Sequence, residues 1–84
     1  MWFVYIIKCK DGSLYTGFTN DLEKRFEKHK SGKGGRYTRS HPPEKIVFFE
    51  KYDKKIVALK REREIKNLER KDKLKLILSK NKPG

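Results

Sequence analysis

Apolar residues near the start of the chain fall into two short runs, over residues 2–9 and 14–18. Both runs are rich in β-branched and aromatic residues, and the Asp11-Gly12 dipeptide between them is typical of β-hairpin turns. The first run is apolar at successive positions, which indicates a strand covered on both faces. The pattern therefore predicts a hairpin whose first strand lies in the middle of a sheet.

The segment that follows has the period of an amphipathic helix. Asn20 is a favourable N-cap, and Glu23, three residues later, can complete a capping box. Ser31-Gly32 ends the pattern, because glycine is common just after a helix C-terminus. Two polar groups are expected to border the apolar stripe that packs on the sheet. The set at i, i+3, i+4 and i+7 is Leu22, Arg25, Phe26 and His29.

The second half of the chain predicts one more strand and then a largely helical part. Residues 44–52 alternate as a strand does, after a glycine-rich basic loop over 30–43 that ends in two prolines. Asp53 is the expected cap of a helix that runs at least to Leu68. Apolar residues lapse near 70–72, where we expect a break before more helix, although one long helix also fits the sequence.

These elements predict an α+β fold, in which a hairpin and a third strand form a three-stranded antiparallel sheet flanked by helices. With 84 residues, the chain is long enough for one small domain over 1–84, with a flexible tail over 80–84. Cys9 is the single cysteine, which excludes an intramolecular disulfide and fits a cytoplasmic protein. No apolar run is long enough for a membrane span. The start of the sequence lacks a basic leader, so we do not expect a signal peptide.

Charge is the strongest signal in the composition, with 23 Lys and Arg against 11 Asp and Glu and a net charge of +12. On so small a domain this charge favours polyanionic partners. Nucleic acid is the first expectation, an anionic membrane surface the second, and a basic protein without either partner the third. The glycine-rich loop offers cations for phosphates and a ring for base stacking, unless it is only a solvated loop. Its candidate contact residues are Lys30, Lys33, Arg36, Tyr37 and Arg39.

Glu62 is unusual because it falls in the apolar arc of the second predicted helix. At about 100° per residue, it lies midway along an arc marked by Leu59 and Ile65. A carboxylate that faces a core is costly unless something compensates its charge. One compensation is a divalent cation, since hard oxygen ligands suit Mg²⁺ or Mn²⁺. The other is an ion pair with Lys66, one turn further along.

Several residues that are unremarkable alone form a pattern together. A tyrosine in a strand is usually a packing residue, and a lone arginine or histidine on a helix is usually solvated or at the rim. In this order and spacing, however, they resemble the GIY-YIG nuclease superfamily, and most closely its small single-domain bacterial members. The resemblance covers nearly the whole chain and implies the same three-stranded sheet flanked by helices. Its residues are Val4-Tyr5-Ile6, Tyr15-Thr16-Gly17, Arg25, His29 and Glu62.

The resemblance implies hydrolysis of phosphodiester bonds in DNA with one divalent cation, Mg²⁺ or Mn²⁺. By position, Glu62 would be the metal ligand and Arg25 would bind the scissile phosphate. Tyr15 or Tyr5 would accept a proton from the attacking water, and the other would orient water or phosphate. His29 would assist in positioning or proton transfer.

The chain also departs from the family pattern. Val4 replaces the glycine of the first tripeptide, which should not change the chemistry. Phe18 stands where some relatives carry a lysine that is thought to help deprotonate the tyrosine. Asn81 corresponds to a late asparagine near the site in some relatives. The favoured interpretation is an endonuclease that selects DNA by structure rather than sequence. The alternatives are a catalytically weak or inactive nucleic-acid-binding module with the same fold and a ribosome-associated RNA-binding protein.

A shared tyrosine site makes a prediction about the hairpin turn. With a two-residue Asp11-Gly12 loop, Tyr5 would pair with Phe18, and the two tyrosines would lie on opposite faces of the sheet. A three-residue loop with Gly12 in the left-handed conformation shifts the register by one. Tyr5 then faces Gly17, which leaves room for the ring, and both tyrosines share one face. We therefore expect the longer loop.

Overall fold

A computed structural model describes the chain from residue 1 to residue 81, and the side chains as far as residue 79. Three strands form one antiparallel sheet in the order β2-β1-β3, with helices on both faces. The predicted α+β fold and the central position of the first strand are confirmed. The elements in chain order are β1 (Trp2–Cys9), β2 (Leu14–Thr19), α1 (Leu22–Lys30), α2 (Arg36–Ser40), β3 (Pro43–Tyr52), α3 (Lys55–Lys66) and α4 (Arg70–Asn81).

The hairpin turn has the three-residue loop that the tyrosine positions require. The Cys9 amide donates to the Ser13 carbonyl at 2.8 Å, and the Gly12 amide donates to the Cys9 carbonyl at 2.9 Å. Gly12 has a φ of 87°, in the left-handed region that favours glycine. The resulting register pairs Tyr5 with Gly17, as predicted.

Alternating side chains of β1 divide the core between the two faces of the sheet. On one face, α3 packs against the strands through the buried cluster Val4, Ile6, Phe48, Ala58 and Ile65. On the other face, Leu22 and Phe26 of α1 pack against the buried cluster Tyr5, Ile7 and Cys9. Each fully buried large apolar side chain contributes about 1.5–3 kcal/mol. A tyrosine therefore occupies a core position on the α1 face.

The N-terminus of α1 differs from the prediction. Asp21, not Asn20, is the N-cap, and its carboxylate accepts a hydrogen bond from the Lys24 amide at 3.1 Å. The reason is that β2 continues one residue beyond the predicted end, to Thr19, whose hydroxyl oxygen accepts from the Asp21 amide. Asn20 consequently belongs to the turn, and Glu23 lies in the first helical turn without its predicted capping-box partner.

The bounds of α3 also differ. Its N-cap is Lys54, without a side-chain hydrogen bond, so the prediction of Asp53 as the cap is wrong. The helix ends at Lys66 rather than at or beyond Leu68. The break between α3 and α4 therefore lies over 67–69, a few residues before the predicted position. The Glu69 carbonyl accepts from the amides of residues 72 and 73, which starts the next helix immediately.

The predicted basic loop contains a helix that the sequence pattern did not indicate. Helix α2 has only five residues, too few for a hydrophobic period to be visible. Its first turn begins at Gly35, whose carbonyl accepts from the Arg39 amide at 3.2 Å. Thr38 is its buried residue, with 2% exposure, and it anchors the turn to the body of the protein. Among the described helices, none combines the length and apolar character that a membrane crossing would require.

Candidate active site

The tyrosines of the two hairpin strands lie together on the α1 face of the sheet. The ring centroids of Tyr5 and Tyr15 are 6.4 Å apart. Tyr5 is almost fully buried, with 1% exposure, whereas Tyr15 is partly exposed. Gly17 creates the space for the Tyr5 ring, because a Cβ atom there would lie 2.5 Å from the Tyr5 hydroxyl oxygen. The register thus brings both phenols to one place, with Tyr15 the more accessible.

His29 is completely buried beneath these rings. Its Nε2 atom lies 2.9 Å from the Tyr5 hydroxyl oxygen, and its Nδ1 atom lies 2.6 Å from the Thr38 hydroxyl oxygen. Burial, together with the positive charge of Arg25, lowers the pKa of His29 to about 4. The imidazole is therefore neutral at physiological pH, and each ring nitrogen has a hydroxyl partner.

Burial has the opposite effect on Tyr5, because the phenol is neutral in its protonated form. It raises the pKa of Tyr5 to about 12, with smaller contributions from Tyr15 and from the negative charge of Glu62. Arg25 opposes this shift in pKa through a hydrogen bond and its charge. The Tyr5 hydroxyl consequently keeps its proton at neutral pH.

Arg25 projects from α1 and lies beside both phenols. A hydrogen-bond interaction with Tyr5, with further contributions from Tyr15, raises the pKa of its guanidinium. Its Nη2 atom donates to the Gly34 carbonyl at 2.9 Å, which fixes the side chain from the loop side. Its Nε atom is buried and has no hydrogen-bond partner among the described residues. The site therefore holds a positioned cation that retains an unused donor.

Glu62 lies on α3, which packs against the other face of the sheet. Its side chain is only 14% exposed, and one carboxylate oxygen lies 3.6 Å from the Lys66 ammonium. The ion pair with Lys66, one of the two alternatives from the sequence, is therefore present, and the carboxylate is also close enough to Tyr5 to raise the pKa of that phenol. Within the described residues, no group of three or more His, Cys, Asp or Glu side chains could hold a metal.

An outer layer of aromatic rings covers Tyr15. Tyr37 of α2 stacks on Tyr15, with centroids 5.7 Å apart, and on His41, with centroids 4.3 Å apart. The His41 Nδ1 atom in turn lies 2.6 Å from an Asp11 carboxylate oxygen. Tyr37, expected from the sequence to stack on a nucleic-acid base, has two partners within the protein and is 37% exposed.

The basic surface extends beyond the residues singled out from the sequence. Lys30, Lys33, Arg36 and Arg39 are exposed, as a contact surface requires. In addition, Lys24 and Lys28 line a groove of about 190 Å³ that includes Arg25. The two lysines lie one helical turn apart on α1, so their ammonium groups border the approach to Arg25.

Sequence reasoning missed two residues that shape the site, Thr38 and Gly34. Thr38 lies on a one-turn helix without a recognisable pattern, and its role depends on a partner nine residues away. Gly34 packs against His29 so closely that a Cβ atom would lie 2.8 Å from the histidine Cα. The Gly34-Gly35 pair just before the one-turn helix was the signal available. The side chain of Asn81, the further candidate, lies outside the described residues.

Comparison with known proteins identifies this arrangement. A family model described as the GIY-YIG catalytic domain matches residues 1–75. The chain belongs to the GIY-YIG family. GIY-YIG domains are characteristic of nucleases that generally depend on a divalent metal. The resemblance found in the sequence is therefore confirmed.

Similar proteins occur in several bacteria. A UPF0213 protein of Staphylococcus saprophyticus is 55% identical over 75 residues, which are 89% of this chain and 92% of that protein. A UPF0213 protein of Clostridium perfringens is 54% identical over 81 residues, which are 96% of this chain and 87% of that protein. A UPF0213 protein from Bacillus halodurans, whose structure was solved by solution NMR, is 44% identical in sequence. It aligns with a TM-score of 0.63 over 99% of this chain and 89% of that chain.

Proposed function

We propose that this GIY-YIG domain is a metal-dependent endonuclease that hydrolyses phosphodiester bonds in DNA and selects its substrate by structure rather than by sequence. The observation that carries the proposal is the position of Arg25. Its guanidinium lies beside two phenols, with one donor unused, and it lines a groove together with Lys24 and Lys28. A phosphodiester is the ligand that such a cation and such a groove fit best.

In the proposed reaction, Arg25 binds the scissile phosphate and offsets the charge that develops on its oxygens. The water oxygen bonds to phosphorus as the bond to the leaving oxygen breaks, and the leaving oxygen keeps the electron pair and takes a proton from solvent. The proton of the attacking water passes to a tyrosine oxygen. A guanidinium beside a phenol favours the ionised form that accepts this proton.

Glu62 is the residue that would hold a divalent cation. A partly buried carboxylate whose present contact is a long ion pair can exchange that partner for a metal. The absence of a larger cluster of ligands among the described residues suits Mg²⁺, which commonly binds one or two carboxylates, substrate phosphate and several waters. When bound, such a cation would polarise the phosphate and stabilise the leaving oxygen.

The expected mode of substrate binding follows from the exposed cations. The basic residues of 30–39 and the lysines of the α1 groove contact phosphates, which are the same for every sequence. Affinity should therefore fall steeply with salt and vary little with base sequence. Branched, flapped or single-stranded DNA lets the backbone approach a site that lies under Tyr37.

The test is a nicking assay on plasmid, flap and single-stranded DNA with Mg²⁺ or Mn²⁺, with EDTA as the metal-free reference. Glu62→Ala should lose cleavage but keep DNA binding, measured by fluorescence anisotropy. The matched control is Glu64→Ala, because Glu64 is an exposed glutamate on the same helix that pairs with Arg61. This variant should cleave like the wild type. Equal cleavage by the Glu62 variant and the wild type would exclude the metal-binding role.

A second candidate is a nucleic-acid-binding module without cleavage, which the Glu62–Lys66 ion pair favours, because it already neutralises the carboxylate. Lys66→Ala separates the two functions. If the ion pair merely competes with the metal, removing the lysine should preserve or increase cleavage at low Mg²⁺. DNA binding with no cleavage by the wild type or by this variant would favour the binding module.

A further inference from the structure

We propose that Thr38 is a positioning residue that, through His29, holds the Tyr5 hydroxyl as a hydrogen-bond donor. The consequence for catalysis, that Tyr15 is left to accept the proton of the attacking water, rests on the proposed function. The buried chain Thr38–His29–Tyr5, defined here as the relay, can be tested independently of any cleavage.

Which groups of the relay donate and which accept depends on where His29 carries its single ring proton. Either His29 carries its proton on Nδ1 and donates to Thr38, or it carries it on Nε2 and donates to Tyr5. Arg25 has no acceptor, so the Tyr5 oxygen is the accepting partner in their interaction. A buried hydroxyl needs an acceptor for its hydrogen, and the acceptor that contacts the Tyr5 hydroxyl among the described residues is His29 Nε2, 2.9 Å away. With the Tyr5 hydrogen on that contact, His29 is protonated on Nδ1 and donates to Thr38, 2.6 Å away.

The charges around the relay support this direction. Arg25 faces it from α1, Tyr15 from β2 and Glu62 from α3. Burial and Arg25 keep His29 neutral, with a pKa of about 4, and burial keeps Tyr5 protonated, with a pKa of about 12. Transfer of the Tyr5 proton to the imidazole is strongly unfavourable, so Tyr5 cannot readily release its own proton to become the acceptor.

Thr38 supplies the acceptor that the Nδ1–H form of His29 needs, because its hydroxyl oxygen contacts Nδ1 and the residue is only 2% exposed. Tyr15 takes no part in the relay, although its ring lies 5.0 Å from the His29 ring between centroids. It is also the more accessible of the two phenols and lies beside Arg25. The role of proton acceptor therefore goes to Tyr15, and Tyr5 is held in the buried relay.

The direct test is the tautomer of His29, read from the ¹⁵N shifts and couplings of the ring in the NMR spectrum of the full chain. The wild type should show protonation on Nδ1. Thr38→Val should shift the ring toward protonation on Nε2, and Thr38→Ser should restore the wild-type state. The matched control is Thr16→Val, another buried threonine but on the opposite face of the sheet. It should leave the tautomer unchanged.

Protonation of His29 on Nε2 in the wild type would overturn the relay, whether or not the Thr38→Val variant folds. The catalytic assignment is tested by the pH profile of cleavage. Tyr15→Phe should lower the rate at least about 100-fold and remove its rise with pH, whereas Tyr5→Phe should keep the rise. The reverse result would refute the assignment of Tyr15. If no protein cleaves but His29 is protonated on Nδ1, the proposed function fails, while the positioning of Tyr5 by Thr38 stands.

Discussion

Acid should destabilise this protein at a pH where its carboxylates are still ionised, because of His29. The ring is fully buried and neutral, and its pKa falls from the ordinary 6.5 to about 4 in the folded chain. Below pH 6.5 the unfolded chain therefore takes up a proton that the folded chain excludes. The contribution of neutral His29 to the free energy of unfolding is fully present above pH 6.5 and declines as the pH falls. It is lost once the pH passes below about 4.

The magnitude follows from the two pKa values. Linkage gives a loss of about 2 kcal/mol in the free energy of unfolding between pH 7 and pH 5, and about 3 kcal/mol by pH 4. For a domain of this size, either value is a large share of the total stability. The loss down to pH 5 precedes the titration of ordinary carboxylates, so it can be assigned to histidine.

The measurement is urea denaturation followed by circular dichroism at intervals between pH 7 and pH 4. His29→Gln should lower stability at neutral pH but flatten the curve down to pH 5. His41→Gln is the matched control, since His41 is the second histidine and is partly exposed. This variant should still lose stability between pH 7 and pH 5, as the wild type does. A wild-type free energy of unfolding that is constant from pH 7 to pH 5, or an NMR titration of His29 near pH 6.5, would refute the reasoning.

Two further predictions concern stability and geometry. Gly17→Ala should cost about 1–3 kcal/mol by overpacking against Tyr5 and should perturb the His29 ring signals, whereas Gly12→Ala should cost about 1 kcal/mol through its positive φ alone and leave those signals unchanged. Equal ring shifts in both variants would argue against a specific contact. Asp21→Ala should cost about 1 kcal/mol in thermal or urea unfolding, and Asn20→Ala much less, because Asp21 is the N-cap. A larger effect at Asn20 would restore the cap expected from the sequence.

The sheet and its register could be predicted because they depend on local alternation and on one turn. Of the two turns that the Asp11-Gly12 pair permits, only the three-residue loop places Tyr5 and Tyr15 on the same face. The requirement that both tyrosines serve one site therefore selected the correct turn. Glu62 could also be identified from a local pattern, because it is a carboxylate at a position where the helical period predicts an apolar residue. Helix caps were placed less well, because Asn20 and Asp21 are both good caps and tertiary contacts decide between them.

Thr38 and the depth of His29 could not be read from the sequence. The histidine is buried because α2, a single turn, folds over it, and no period identifies a helix of five residues. The contacts that stabilise this turn join residues far apart along the chain, such as His41 with Asp11. The sequence suggested a basic contact loop there, with a solvated loop as the alternative, whereas in the structure Tyr37 of that segment covers Tyr15.

The hairpin turn also restricts the spacing between the two tyrosines. Surface turns usually accept insertions, because few contacts depend on them. This turn is held from two sides, since Asp11 contacts His41 and the Gly12 carbonyl accepts from Arg70 of α4 at 2.9 Å. Adding or removing one residue would also move Tyr15 to the opposite face of the sheet. The number of residues between the two tyrosines is therefore as strict a requirement of the site as the identity of the tyrosines themselves.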